Sequence, residues 1–180
     1  AGERPYHIVT PAMHKSKGDI AKLFNEKFGT DINATPEELT AYVRGVLRQK
    51  FTTDEIGVTG ANFLVADTGA ISVTENEGNG LMTMSFPKLH IVIAGIEKVI
   101  PKMEQLGLFY PLLAAHGTGQ QMTVYNSLVS GPRQPGEANG PDRMVVILLD
   151  NGRTNLYADG ESREALACIR CGSCLNGCPV

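Results

Sequence analysis

The sequence predicts an α/β protein with three layers, α/β/α, around a mainly parallel sheet. Two observations support this class. Apolar side chains recur at helical spacing over residues 17–28 and 35–51. Short runs rich in valine and isoleucine then follow, separated by Gly, Asp and Asn, at 63–66, 70–74, 89–94 and 144–150. Helices that alternate with such strands place helical layers against a parallel sheet.

The two helices carry recognisable boundaries. Gly29 follows the first apolar stripe and predicts its C-terminal end. Thr35 precedes the second stripe and can cap it, because Pro36 suits the first helical position and Glu38 stands where a capping box requires a carboxylate.

The other segments are assigned from period and composition. Residues 6–10 are expected to be a short strand or extended entry, and 96–115 are helical in period, with Pro101 and Pro111 near helix starts or breaks. Residues 122–129 alternate like a strand, whereas 130–142 hold three prolines and three glycines and predict a loop. A turn or two of helix is expected over 162–167.

Composition narrows the class of protein. The 180 residues are 42% apolar and carry a formal net charge of −3, which argues against a disordered chain and against a nucleic-acid binder that uses a broad basic surface. No apolar run reaches the length of a membrane span. All four cysteines lie in the last 13 residues, unlike a disulfide-framed secreted module, so we expect a cytoplasmic protein. We expect one α/β domain over 1–160 and the truncated start of a second module over 161–180.

The cysteines give the most specific motif. Cys168, Cys171, Cys174 and Cys178, followed by Pro179, have the C-x2-C-x2-C-x3-C-P spacing of bacterial ferredoxins that hold 4Fe-4S clusters. A zinc ribbon would separate its cysteine pairs by roughly 15–20 residues, and a thioredoxin-type site needs only two thiols. In two-cluster ferredoxins the fourth cysteine ligates the other cluster. We therefore expect the first three cysteines to hold cluster one and Cys178 to serve cluster two, with a second motif beyond Val180 and no complete pair of clusters in these residues.

A loop after a predicted strand contains two carboxylates. Glu75 and Glu77 lie in a Gly-rich segment over 74–80, at a strand end where α/β proteins bind ligands. The segment is equally compatible with a nucleophile or ligand loop and with an acidic surface turn. Asp67 lies in a turn between two strands and is a weaker candidate, while His90 within a strand favours a core histidine.

Long motifs resemble the lactate utilization protein B family, iron–sulfur proteins built from a LUD domain followed by a ferredoxin-like module. The matching segments are HIV (7–9), PAMH (11–14), NFLVADTGA (62–70), TENEGNG (74–80), PKLHIVIAGIEK (87–98), GPR (131–133) and CIRCGSCLNGCP (168–179). The resemblance implies a fold similar to ribose-5-phosphate isomerase and CoA transferases. It also implies that residues 1–160 are the LUD domain and that the chain is an N-terminal fragment of such a protein.

The resemblance further implies a function. Members act as one subunit of a bacterial complex that oxidises L-lactate to pyruvate, with two 4Fe-4S clusters relaying electrons. The expected partners are the other subunits, and L-lactate or another small carboxylate is a possible ligand. Two alternatives stay open: a small-molecule or transferase/isomerase-like site that uses Glu75 or Glu77 with Asp67, and a docking scaffold for the complex. With its second motif absent, the chain alone is expected to be inactive.

Overall fold

The computed structural model describes residues 2–4 and 12–177, so the expected strand at 6–10 and the predicted ligand Cys178 lie outside the described residues. The chain divides into two compact units, Ala1–Lys50 and Phe51–Val180. The helices are α1 (Lys17–Phe28), α2 (Pro36–Thr53), α3 (Asn79–Ser85), α4 (Leu106–Thr118), α5 (Arg153–Ala158) and α6 (Ser173–Gly177). The strands are β1 (Ile56–Thr59), β2 (Phe63–Val65), β3 (Ala70–Glu75), β4 (Leu89–Gly95), β5 (Val99–Ile100), β6 (Tyr125–Val129) and β7 (Arg143–Leu149).

The first unit contains α1 and most of α2, and the predicted helix boundaries are confirmed. Gly29 ends α1 in the left-handed conformation, at φ +68°, and its amide donates to the Asn25 carbonyl. At the start of α2, the Thr35 amide donates to the Glu38 carboxylate at 2.8 Å, and the Glu38 amide donates to the Thr35 hydroxyl at 3.3 Å. This reciprocal pair is the predicted capping box.

The second unit contains two sheets. Sheet A has the strand order β1-β4-β7 and is parallel throughout. Sheet B has the order β5-β2-β3-β6, in which β5 and β2 are parallel whereas β2, β3 and β6 are antiparallel neighbours. The α/β class and the mainly parallel pairing predicted from the sequence are confirmed.

Each face of sheet B packs into its own core. Successive residues of a strand point to opposite faces, so β2 and β3 contribute alternately to the two cores. One core joins sheet B to sheet A and to α3, through Leu64, Ile71, Met84, Val92 and Ala94. The other joins strands β2, β3 and β5 of sheet B to α4, through Phe63, Val65, Ala70, Ile100 and Leu106, with Ile169 packed against it.

The segment over 96–115, predicted to be helical in period with starts or breaks near Pro101 and Pro111, is helical only in part, and Pro111 lies inside α4. It forms a short 3-10 turn (Ile96–Lys98), then β5, then a second 3-10 turn (Met103–Gln105), and α4 begins only at Leu106. The reason is a non-local pairing, because β5 is held parallel to β2. Pro101 follows β5 and favours an extended residue before it.

The predicted strands at 63–66, 70–74, 89–94, 122–129 and 144–150 are present with small shifts in their ends, and a 3-10 turn (Arg163–Ala167) occupies the segment expected at 162–167. Strands β1 and β5 and the helices α3, α5 and α6 were not predicted. Within the residues that the structure describes, no helix has both the length and the apolar character needed to cross a membrane.

Candidate functional site

The cysteine-bearing segment lies beside α4 and the adjacent core. Ile169 packs into that core, and the backbone around Cys171 and Gly172 passes the C-terminal half of α4. Arg170 and Gly172 take left-handed backbone conformations, at φ +61° and +80°, which turn the chain sharply between the cysteines. Ile169 therefore anchors a tight loop to the folded domain.

Three of the four predicted cluster ligands can be located. Cys168 and Cys174 are exposed, Cys171 is half-buried, and none of the three forms a disulfide. Free thiols at intervals of two residues are the donor chemistry that a 4Fe-4S cluster requires. Among the described residues, however, no three potential ligands converge on a common point as a metal site would need. The donor set fits the cluster, while the geometry of these residues is not that of an assembled site.

Charged side chains cluster at the carboxyl ends of β4 and β7, next to Cys168. The Glu97 carboxylate is 6% exposed and forms an ion pair with Arg153 Nε, and Arg170 approaches its other oxygen at 4.0 Å. Arg153 also donates to the Asp150 carbonyl at 3.0 Å. Gly95 makes room for this pair, because a Cβ at that position would overlap the Glu97 carboxylate.

The ionisation of this charged group follows from its contacts. Burial alone would raise the pKa of Glu97, but its hydrogen bond to a backbone amide and its pairing with Arg153 hold that pKa below the usual value. Burial lowers the pKa of Lys98, as does the positive charge of Arg170, while Glu97 and a Cys168 thiolate oppose that shift. Three cations, Lys98, Arg153 and Arg170, therefore surround the single buried carboxylate of Glu97.

Glu97 and Arg153 also line a cleft of about 450 Å³. Its walls combine Glu97 and Arg153 with apolar Ile96, Val99 and Leu166. Arg163 lies over the Tyr157 ring, with 5.6 Å between the guanidinium carbon and the ring centroid. The lining of the cleft therefore combines two arginines and one carboxylate with apolar side chains, and it extends to Ala167, the residue before Cys168.

Glu75, the first predicted carboxylate, is engaged by the backbone of α3. Its two carboxylate oxygens accept hydrogen bonds from the amides of Gly80 at 2.7 Å and Leu81 at 2.6 Å. Such charge-assisted bonds satisfy amides at the start of a helix, where acceptors within the helix are lacking, and the Gly80 amide also donates to Asn79 Oδ1 at 2.8 Å. A Cβ on Gly80 would lie 3.0 Å from these oxygens, so the glycine permits the close approach. Glu75 borders a cleft of about 500 Å³ with Thr59, but its carboxylate is committed to holding the helix.

The other two candidate carboxylates, Glu77 and Asp67, do not share the hydrogen-bond partners of Glu75. Glu77 is exposed, and its carboxylate accepts a long 3.4 Å hydrogen bond from Asn79. Asp67 lies at the opposite end of β3 from Glu75, in the turn after β2, where it accepts from the Met103 amide at 3.4 Å. Strand β3 separates the two positions by roughly 17 Å at about 3.3 Å per residue. The arrangement does not support the joint use of Asp67 with Glu75 or Glu77.

His90 lies in the core between the two sheets and is fully buried. Its Nε2 is 2.7 Å from the Thr59 hydroxyl, and its Nδ1 has no hydrogen-bond partner among the described residues. Burial lowers the pKa of His90, so the ring is neutral at neutral pH. The sequence-based expectation of a core histidine holds for its position, although only one of its ring nitrogens is paired.

Comparison with known proteins identifies the family. The sequence profile of the LUD domain matches residues 4–149. The chain belongs to the LUD domain family. The matched residues contain Glu75, His90 and Glu97, and they end before Cys168.

Relatives of this LUD domain chain are much longer than it is. It is 43% identical over 176 residues to lactate utilization protein B of Bacillus licheniformis and 40% identical over 176 residues to that of Bacillus subtilis. It is 39% identical to the uncharacterized electron transport protein YkgF of Escherichia coli. Each alignment covers 98% of this chain but only 36–37% of the relative. A crystal structure of a DUF162 family protein from Deinococcus radiodurans is 18% identical, with a TM-score of 0.41 and 56% of each chain covered.

The sequence reasoning missed the ion pair of Glu97 and Arg153 in this LUD domain. The two residues are 56 positions apart, and only the fold brings them together. The sequence did contain an indication of this pair. Both residues follow the carboxyl ends of predicted strands, where α/β proteins place their functional groups.

Proposed function

We propose that this chain is part of an iron–sulfur electron-transfer subunit that serves lactate utilization. The observation that carries the proposal is the C-x2-C-x2-C-x3-C-P motif, which the names of the relatives, lactate utilization protein B and an electron transport protein, support. Cys168, Cys171 and Cys174 would ligate one cluster and Cys178 the next.

The reaction we assign to the whole complex is the oxidation of L-lactate to pyruvate. That conversion releases two electrons and two protons. A 4Fe-4S cluster supplies one-electron transfer when bound, so two clusters match the electron count. The other subunits of the complex would be the partners, and we place this role in the cytoplasm.

Residues of this chain position the cysteine segment and place charged groups beside it. Ile169 fixes the cysteine segment against the domain. The left-handed conformations of Arg170 and Gly172 turn the backbone sharply between Cys168 and Cys174. Lys98 and Arg170 add positive charge to this region, since Lys98 interacts electrostatically with Cys168 and Arg170 approaches the Glu97 carboxylate at 4.0 Å. The pair of Glu97 and Arg153 holds this charged surface at the carboxyl edge of sheet A.

The geometry favours a structural role for Glu75 over a catalytic one. A carboxylate that accepts two backbone hydrogen bonds from α3 is not free to attack a substrate, which weakens the transferase-like alternative. The function therefore rests on the cysteines.

Growth on L-lactate tests the proposal in the full-length protein. A Cys171→Ala variant should abolish lactate-dependent growth, because alanine has no side-chain atom that can replace a thiolate ligand of the cluster. Ser173→Ala, between Cys171 and Cys174 but outside the ligand set, is the matched control and should grow normally. Unimpaired growth of the cysteine variant at normal protein levels would contradict the proposal.

A further inference from the structure

The cleft that Glu97 and Arg153 line is formed by residues of the second unit. Its lining comes from the segment after β4, from α5 and from the 3-10 turn Arg163–Ala167, all within Phe51–Val180. Its volume of about 450 Å³ falls within the usual size of small-molecule sites, which is about 300–1,000 Å³. The cleft is therefore large enough for an organic molecule and not only for a single ion.

The charges that line the cleft leave an excess of one positive charge. Arg153 and Arg163 are cationic, because arginine stays protonated in proteins. Glu97 is anionic at neutral pH, because its pKa is held below the usual value. Among the described residues, the rest of the lining is uncharged. A ligand with a single negative charge balances this excess, whereas a dianion would leave the occupied cleft with a net negative charge.

Both guanidinium groups retain hydrogen-bond donors. Within the part of the chain that the structure describes, Arg153 uses two of its five N–H groups, one on Glu97 and one on the Asp150 carbonyl. Arg163 forms no ion pair with any described carboxylate, and its guanidinium lies over the Tyr157 ring. Guanidinium groups with free N–H donors bind a carboxylate through paired, charge-assisted hydrogen bonds.

Much of the remaining lining is apolar. Ile96, Val99 and Leu166 contribute aliphatic side chains, and Val99 is 44% exposed. The Tyr157 ring also lines the cleft and is 67% exposed. An inorganic anion would leave these surfaces in contact with water, whereas an acid with an apolar portion would cover them and gain the free energy of removing apolar surface from water.

We propose that this cleft is a binding site for an organic monocarboxylate that carries an apolar portion. The carboxylate accepts hydrogen bonds from Arg153 and Arg163, and the apolar portion lies against the aliphatic side chains of the lining. The lining extends to Ala167, the residue before Cys168, so the site adjoins the cysteine segment. The site needs no iron, and it is a function additional to the proposed electron transfer.

Isothermal titration calorimetry of the purified full-length protein with hexanoate tests the proposal. One hexanoate should bind per chain, and Arg163→Met should weaken its binding by at least about tenfold, because a hydrogen bond between charged groups is lost. Arg163 is exposed and lies outside the Glu97 pair, so this variant should fold like the wild type, which circular dichroism checks. The matched control Arg133→Met removes the same charge from a residue that does not line the cleft, and it should bind hexanoate within about twofold of the wild type.

Three further probes define the class of ligand. Hexanamide lacks the negative charge, and acetate and inorganic phosphate lack the apolar chain, so each should bind at least about tenfold more weakly than hexanoate. The absence of saturable hexanoate binding would overturn the proposal, as would equal binding by the wild type and Arg163→Met. Hexanamide at the affinity of hexanoate would indicate an apolar groove without an anion site. Acetate or phosphate at that affinity would indicate an anion site without an apolar part, and either result would overturn the proposed class.

Discussion

Replacing Arg153 with Met should destabilise the protein more than any comparable change at an exposed ion pair. Its partner Glu97 is 6% exposed, and Arg153 itself 18%. Removing one member of a buried pair leaves an uncompensated charge, at a cost of about 3–5 kcal/mol. The lower end of that range applies here, because Arg170 lies 4.0 Å from the same carboxylate and offsets part of the loss.

Urea unfolding followed by circular dichroism measures the effect. At a slope of about 2 kcal/mol per molar urea, a loss of about 3 kcal/mol lowers the midpoint by about 1.5 M. The matched control is Arg133→Met, because Arg133 pairs with Asp142 at positions 41% and 46% exposed. An exposed pair contributes under about 1 kcal/mol, so this midpoint should fall by less than about 0.5 M. Equal losses in the two variants would refute the reasoning.

The pH dependence adds a second criterion. The pKa of Glu97 is held below the ordinary glutamate value of 4.5, so its pairing contributes fully above that value and is lost as the pH falls through the lowered pKa. The difference in unfolding free energy between wild type and Arg153→Met should therefore shrink in acid. A difference that stays constant down to the acid limit of folding would show that the effect is not electrostatic.

Three further predictions follow from the contacts of single residues. Glu75→Ala should lower the unfolding free energy by about 1–2 kcal/mol, because two amides of α3 lose the carboxylate that accepts their hydrogen bonds. The exposed control Glu77→Ala should change it by less than about 0.5 kcal/mol, and equal urea midpoints of the two variants would contradict this. The wild-type unfolding free energy should fall as the pH drops below about 6.5, because burial lowers the pKa of His90 and the unfolded chain therefore binds a proton that the folded chain does not. His90→Asn should flatten that slope, and an unchanged slope would contradict this. Purified as it stands, the 180-residue chain should lack the iron, sulfide and absorbance of two complete clusters, and stoichiometric values would contradict this.

The parts of the fold that sequence predicts are those with local causes. The capping box of Thr35 and Glu38 and the stop at Gly29 involve neighbours within a few residues, so their pattern is legible in the chain. Strand β5 is only two residues long and exists through its pairing with β2, about 35 positions away, which no local period encodes. Helix α3 starts in a Gly-rich segment that favours a loop, and it depends on the Glu75 carboxylate for its first amides.

The same distinction between local and non-local causes applies to the candidate site. The cysteine spacing is a local motif and could be assigned directly, whereas the charged group around Glu97 depends on two strand ends that the fold brings together. The role of Glu75 was ambiguous in sequence because a carboxylate after a strand can serve either a ligand or a neighbouring helix. Its hydrogen bonds to Gly80 and Leu81 favour the helix.

The most direct test of the central claim is the cluster content of the full-length protein, purified without oxygen. Iron and sulfide analysis with electron paramagnetic resonance of the reduced protein should show two 4Fe-4S clusters per chain. Cys171→Ala should lose the signal of one cluster, while Ser173→Ala keeps both. A full-length protein that contains zinc or no metal, or a Cys171→Ala variant with both signals intact, would contradict the account.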